Sequence, residues 1–459
     1  MARGGTRHAP RQQAGSGHGR DRGPHPANAA APARGSAAPA DELEPASGTH
    51  VAVTATGPTS GGRERAVLVA VVTGKAERAA VEGHLDELGQ LVDTAGGVAV
   101  ARMVQERRSP DPSTFIGKGK VTELAGLAAE QGAKLIVFDD DLSPSQARHL
   151  DEALPADVKV LDRAGVILDI FALRARTREA QLQVELAQLT YQMSRLTRRW
   201  AHLSRQAGGI GTRGVGETQL ESDRRVIRRR IGVLRERLVE VEREREVQRR
   251  RRAQLPGVAL VGYTNAGKST LFEQLSGTAT LVEDRLFATL DPRTRRAELG
   301  DGLAVTVADT VGFIRKLPHH LVASFRATLA EAALAQVVVH VVDASHPAWA
   351  DQLAVGEEVL EDLGVEPKRC IVALNKVDRV DGPPPAPPGR ATVAISALTG
   401  EGLDELRAAL AAAVLAQPGL EVLRFPVEGG QALQRALREE IVVARRFSAA
   451  GIELVVRRR

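Results

Sequence analysis

Apolar positions along this chain fall into three successive patterns. From Arg65, short solid apolar runs alternate with mixed segments: Ala66 to Val72 ends at Thr73-Gly74, Val98 to Val104 follows, and Leu135 to Phe138 runs into Asp139-Asp140-Asp141. Runs of this length, bounded by turn residues, predict strands buried on both faces. Ser143-Pro144 opens a helix, with proline suited to its first turn. Val158 to Leu161 reads as a fourth strand and Arg163 to Leu173 as a helix. Strands alternating with helices predict a small α/β domain over residues 65–172.

The second pattern has a helical period. Leu182, Leu186, Leu189, Met193, Leu196, Trp200 and Leu203 recur at steps of four and three, and Ile227, Ile231, Leu234, Leu238 and Val241 repeat the spacing. These are heptad seams. Between them Gly208-Gly209-Ile210-Gly211-Thr212-Arg213-Gly214-Val215-Gly216 is expected to break the helix, and Thr218 with Glu221 has capping-box spacing for the second one. The prediction for 173–254 is an antiparallel helical hairpin within a monomeric chain, with the glycine loop 208–216 at its tip. A helix of about 25 residues is about 38 Å long, so the tip stands far from the base. A simple helix–helix turn needs only a few residues. The longer loop, with Arg213 and with Gly209, Gly211, Gly214 and Gly216 permitting close backbone approach, reads as a contact element.

The third pattern, over 255–417, returns to α/β alternation: Val258 to Val261, Val305 to Ala308, Cys370 to Leu374 and Val393 to Ile395 are strands. Residues 418–459 carry Val422-Leu423-Arg424-Phe425, a helical stretch and the runs Ile441 to Val443 and Ile452 to Val456, a small α+β appendage. The fold class is α/β throughout the central parts.

Composition changes this picture in three places. Residues 1–64 are rich in Gly, Ala, Pro, Arg and His without periodicity, and read as a disordered basic tail. Arg174 to Arg252 holds 21 arginines against ten acidic residues, a local +11 in a chain of net +5, which leaves −6 elsewhere. A basic module beside a mildly acidic remainder points to a polyanionic partner. The one cysteine, Cys370, rules out a disulfide framework, and no apolar run reaches the roughly 20 residues of a membrane span. A cytoplasmic protein is expected, without integral membrane association and with peripheral contact left open.

The chemistry is concentrated in the third pattern. The strand ending at Val261 runs into Gly262-Tyr263-Thr264-Asn265-Ala266-Gly267-Lys268-Ser269-Thr270, which opens a helix through Leu271 and Phe272. This is G-x-x-x-x-G-K-S in its strand–loop–helix setting: backbone N–H groups cradle phosphates, Lys268 reaches the β- and γ-phosphates, and Ser269 can ligate Mg²⁺. Asn375-Lys376-Val377-Asp378 follows a strand, and the Asp378 carboxylate can accept from guanine N1–H and N2–H₂, which adenine cannot match. Ser396-Ala397-Leu398 fits the backbone contact to the guanine carbonyl. Asp309-Thr310-Val311-Gly312 is the candidate γ-phosphate sensor, with Asp309 holding Mg²⁺ through water and the Gly312 N–H on the phosphate. Thr289, in Phe287-Ala288-Thr289-Leu290-Asp291, is the candidate for the second switch and the last Mg²⁺ ligand. GTP binding and hydrolysis are therefore expected, with Lys268, Thr289 and Gly312 as the catalytic group. Signalling GTPases place a water-orienting glutamine after the Asp-x-x-Gly element. Here the position is Phe313, so charge or positioning must come from elsewhere, and Asn265 is a candidate ligand for a K⁺ ion near the β/γ bridge.

With these residues placed, the chain over 66–459 resembles the HflX family of translation-factor-related GTPases. The resemblance rests on Phe115-Ile116-Gly117-Lys118-Gly119-Lys120, Leu168-Asp169-Ile170-Phe171-Ala172, Gln183 to Leu189, Gly209 to Glu221, Asp284 to Pro292 and Asp309 to Ile314. It implies binding of the hairpin loop to RNA of the large ribosomal subunit, and splitting or rescue of stalled or idle ribosomes. It also raises ATP binding or RNA remodelling through the N-terminal region. Gly117 and Gly119 lack a full phosphate-loop context, and a strand-end turn is the alternative there. A GTPase acting on another RNA client, in RNA remodelling or tRNA modification, is the competing function.

Overall fold

A computed structural model describes residues 63–195, 215–252, 255–277, 286–316, 331–428, 430–449 and 451–457. The tail 1–62 and Gly209, Gly211, Arg213 and Gly214 of the expected RNA-contact loop lie outside the described residues.

The first layer is a four-stranded, all-parallel sheet of β1 (Glu64–Val72), β2 (Gly97–Glu106), β3 (Leu135–Phe138) and β4 (Lys159–Asp162), in the order β2-β1-β3-β4. Strand β1 is buried from Ala66 to Val72 because helices cover both faces. On one side lie α1 (Lys75–Thr94), which turns Val81, Leu85, Leu88 and Val92 inward, and α4 (Arg163–Arg174). On the other lie α2 (Lys118–Glu130) and α3 (Pro144–Ala153). Helix α3 opens as its sequence predicts, with a reciprocal capping box between Ser143 and Gln146. Gly117 is the N-cap of α2, and the preceding Phe115 takes a left-handed φ of 64°, so this stretch is a turn into a helix.

Helices α5 (Arg178–Arg195) and α6 (Val215–Arg252) follow. Arg230 pairs with Glu185 and Arg245 with Glu179, so rising numbers on one helix meet falling numbers on the other and the pair is antiparallel. Two sequence expectations need correction here. Helix α6 begins at Val215, so Val215 and Gly216 are helical, and Thr218 lies inside the helix instead of capping it. The entropic penalty of glycine, about 1 kcal/mol relative to alanine, is that of a helix interior, and one such residue in a first turn does not outweigh the turns that follow. With 38 residues the helix is about 57 Å long. The leucine seam is also only half the story: α5 buries Ala180, Val184, Ala187 and Tyr191 in the core shared with the N-terminal sheet. Tyr191 donates to Asp162 Oδ1 at 2.7 Å, which docks the base of the hairpin on β4.

The third layer is a six-stranded sheet in the order β10-β9-β8-β5-β7-β6. It comprises β5 (Gly257–Gly262), β6 (Arg293–Glu298), β7 (Ala304–Asp309), β8 (Val337–Asp343), β9 (Cys370–Asn375) and β10 (Ala391–Ala394). All neighbours are parallel except the edge pair β6–β7. Helices α7 (Lys268–Ser276), α8 (Trp349–Asp362) and α9 (Leu403–Leu415) flank it. The C-terminal part is an antiparallel sheet, β11 (Leu420–Phe425), β12 (Ile441–Ser448) and β13 (Gly451–Arg457), in the order β11-β13-β12, with α10 (Gly430–Glu439) against it.

Candidate nucleotide-binding site

The loop between β5 and α7 owes its shape to two glycines. Gly262 has φ 143°, and a Cβ there would lie 2.1 Å from the Val341 carbonyl oxygen. Gly267 caps α7 with φ 93°, and its Cβ would lie 2.2 Å from Asn375 Nδ2. No other residue fits either place. The helix N-terminus therefore points its free N–H groups into an open pocket lined by Thr264, Asn265, Gly267, Lys268, Ser269 and Thr270. Lys268 is buried, donates from Nζ to the Tyr263 carbonyl at 2.7 Å, and has its pKa lowered to about 8, chiefly by desolvation. An anion arriving beside it would restore the lost charge compensation.

Three oxygens converge next to Lys268. Ser269 Oγ donates to Asp309 Oδ2 at 2.8 Å, Thr289 Oγ1 donates to the same oxygen at 3.0 Å, and the two hydroxyls are 2.9 Å apart. Asp309 is fully buried, burial raises its pKa, and its Oδ1 has no hydrogen-bond partner among the described residues. An orphan carboxylate oxygen at this depth is costly without a cation. Two hydroxyls and a carboxylate form the hard-oxygen set that suits Mg²⁺. Gly312 closes the pocket from the other side: a Cβ would lie 2.8 Å from Thr264 Cα and 3.0 Å from Lys268 Nζ, so only a bare backbone reaches the cradle.

At the far end, Asn375 is spent on architecture. Its Nδ2 donates to the Ala266 carbonyl at 2.8 Å and its Oδ1 accepts from the Ala397 N–H at 2.9 Å, tying three loops together. Asp378 accepts from Ser396 Oγ at 2.6 Å, which orients the carboxylate beside Ala397 and Leu398 in the pocket wall. Lys376 takes a left-handed φ of 65° and pairs through Nζ with Asp343 Oδ2 at 2.7 Å. Sequence reading missed Asp343 and also Arg379, which lines the pocket next to Asp378. An aspartate closing a solid apolar strand, as in Val341-Val342-Asp343, is the signal that marks the first.

Several residues of the expected set face elsewhere. The Tyr263 side chain turns into the core shared with the N-terminal layer, and Leu290 and Val311 are buried in the same core. Val377 packs against the buried cluster that contains Val342, Val372 and Leu374. Asp291 accepts from the Arg176 and Thr177 N–H groups, both at 3.2 Å, and so caps the entrance to α5 instead of meeting the pocket. Phe287, Ala288, Thr289, Thr310 and Gly312 do line it, with Phe287 also stacked edge-on against Phe171 at 4.8 Å. Phe313 is buried against His340 and contributes nothing polar.

A glycine-cradled helix N-terminus, a buried lysine, a converging oxygen set and a carboxylate fixed in the far wall of the pocket, on one mostly parallel sheet, define a P-loop GTPase. Matching family models agree with this. They are described as "GTP-binding GTPase N-terminal" over residues 82–172, "GTP-binding GTPase Middle Region" over 174–252 and "50S ribosome-binding GTPase" over 257–376. The chain is 52% identical over 329 residues to GTPase HflX of Lacrimispora saccharolytica, covering 71% of this chain and 77% of that one. It is 44% identical over 360 residues to GTPase HflX of Escherichia coli, covering 76% and 84%. The chain belongs to the HflX family of GTPases, and it hydrolyses GTP. A solved GTP-binding protein of Sulfolobus solfataricus in complex with GDP is 23% identical, with a TM-score of 0.40, covering 76% of this chain and 98% of that one.

Proposed function

We propose that this GTPase binds the large ribosomal subunit and uses the GTP cycle to dissociate or rescue stalled or idle ribosomes. The observation that carries the reading is the link between the basic hairpin and the nucleotide site. Asp291, two residues beyond Thr289, holds the Arg176 and Thr177 N–H groups at the entrance of α5. A change at Thr289 is thereby carried into an arm about 57 Å long. Arg224, Arg225, Arg228 and Arg229 lie on that arm and supply phosphate contacts, and the glycine-rich segment 208–214, outside the described residues, is the proposed contact to folded RNA. The description of the matching central family model, a 50S ribosome-binding GTPase, supports the same partner.

In this reading Gly262 to Thr270 cradle the phosphates, Gly312 N–H meets the γ-phosphate, and Asp378 with Ser396 to Leu398 reads guanine. Ser269 and Thr289 would hold Mg²⁺ directly and Asp309 through water. When bound, the ion neutralises charge developing on the β- and γ-phosphates. Among the described residues no helix is long and apolar enough to cross a membrane. A cytoplasmic monomer is the working form.

Sedimentation with ribosomes in a non-hydrolysable GTP analogue tests the proposal. Co-sedimentation with large subunits is expected, and deletion of 208–214 should abolish it. Binding indifferent to both nucleotide and loop would reject the ribosomal role.

Asn265 takes a left-handed φ of 61° and exposes its side chain at the pocket rim, where a monovalent cation could supply the positive charge that Phe313 cannot. Hydrolysis should run at least about tenfold faster in K⁺ than in Na⁺ at equal ionic strength. Equal rates would dismiss the ion.

A further inference from the structure

The Tyr263 side chain leaves the phosphate cradle and enters a closed circuit of polar contacts. Its hydroxyl accepts from the Arg315 N–H at 2.8 Å and donates to Glu87 Oε2 on α1. Glu87 forms an ion pair with Arg163 at the start of α4. Arg163 donates to Asp139 Oδ1 at 2.7 Å, at the end of β3. Asp139 Oδ2 accepts from Lys316 Nζ at 2.8 Å, and Asp140 pairs with the same ammonium. Lys316 is the next residue after Arg315, so the circuit begins and ends on one short segment.

That segment follows the γ-phosphate-sensing element directly. Two backbone bonds hold the element against the phosphate loop: Phe313 N–H donates to the Gly262 carbonyl at 2.9 Å, and Thr264 N–H donates to the Phe313 carbonyl at 2.7 Å. The circuit pins its other end. Tyr263, Arg163 and Asp139 are almost fully buried, at 4%, 1% and 2% exposure. Contacts among such groups are not screened by water, and losing one leaves the others uncompensated. Lys316 takes a left-handed φ of 53°, a conformation a lysine keeps only when its surroundings impose it. The carboxyl ends of parallel strands are where open α/β sheets bind ligands. Here the ends of β3 and β4 receive the switch segment of the same chain.

We infer that Tyr263 is a positioning residue for GTP hydrolysis, setting the place of Gly312 through a circuit that Glu87, Arg163 and Asp139 of the N-terminal layer complete. The circuit holds the arrangement in which Gly312 lies against Thr264 with no room for a side chain beside Lys268, and the Ser269, Thr289 and Asp309 oxygens converge. The N-terminal layer thereby fixes the γ-phosphate-sensing element in a chain whose Phe313 cannot orient water as the glutamine of signalling GTPases does. This inference rests on hydrolysis alone and is independent of the ribosomal partner.

The test is steady-state hydrolysis, with GDP affinity measured in parallel on the full chain. Tyr263→Phe removes one oxygen, and kcat at saturating GTP should fall about tenfold, with GDP Kd unchanged within about twofold. Lys316→Met should lower kcat similarly, and Lys316→Arg should recover most of it, because charge and reach are kept. Should Tyr263→Phe fail to fold, the two Lys316 variants decide, since that side chain lies at the surface edge of the circuit. Unchanged or increased kcat in both Tyr263→Phe and Lys316→Met would overturn the inference. So would a kcat loss matched by lost GDP affinity, which would mean a damaged phosphate cradle.

Discussion

Asp378→Asn should turn a guanine-selective pocket into one that prefers xanthine. The Asp378 carboxylate is held beside the pocket wall by Ser396 Oγ at 2.6 Å. Guanine offers it two donors, N1–H and N2–H₂. An asparagine presents an NH₂ group in place of one acceptor, opposing guanine's amino group donor to donor. Xanthine carries a carbonyl at that carbon, which accepts from the new NH₂ group. A site built around such pairing rejects the mismatched partner by about 10³-fold or more. The variant should lose GTP affinity by that order and gain xanthosine triphosphate in a competition assay. The phosphate end should keep working, because Asn375, not Asp378, ties these loops to the cradle. Unaltered GTP preference would remove Asp378 from its role.

Lys268→Met should abolish hydrolysis and at the same time stabilise the nucleotide-free protein. Hydrolysis should fall about 10³-fold or more, since no other cation lines the pocket at the phosphate end among the described residues. The stability effect has the opposite sign. Burial lowers the Lys268 pKa from 10.5 to about 8. Below about pH 8 the lysine is protonated in both folded and unfolded chains, and the folded one bears the full desolvation cost. Between pH 8 and 10.5 the unfolded chain holds the extra proton, so the penalty fades as pH rises. Methionine, similar in size and uncharged, removes that cost along with the smaller attraction between Lys268 and Asp309, desolvation being the larger cause of the shift. Thermal unfolding without nucleotide should show a higher Tm for the variant at pH 7 and a narrowing gap toward pH 10. Adding GDP should favour the wild type, whose lysine then meets phosphate. A variant that melts lower than the wild type at pH 7 would contradict the electrostatic account.

The parts of the site that were legible in sequence are those whose chemistry depends on neighbours along the chain. Gly262 to Ser269 must be a strand–turn–helix, because two positive-φ glycines and the following apolar residues leave no other local structure. Asn375 to Asp378 is legible for the same reason: it closes a solid apolar strand. The leucine seams of 182–203 and 227–241 were visible as well, since a heptad is a one-dimensional signal, although Leu196, Trp200 and Leu203 lie outside the described residues. Where local rules failed, a distant partner had won. The start of α6 moved back to Val215 because 38 residues of helix outweigh the one glycine, Gly216, in the first turn. The second seam of α5, Ala180, Val184, Ala187 and Tyr191, looks weak in sequence because it packs closely on α4, where small residues alternate with larger ones.

Composition, period and motif spacing thus determined the class of chemistry, the order of the layers and most of the residues that line the pocket. Tertiary structure decided which of these residues face the nucleotide and which face the rest of the molecule. Tyr263 and Asp291 belong to nucleotide motifs by position, yet their side chains reach Glu87 and Thr177, 176 and 114 residues away. The reason is physical: a backbone motif is written by local conformational preference, whereas a buried polar side chain must find its partner wherever packing of the two layers places one.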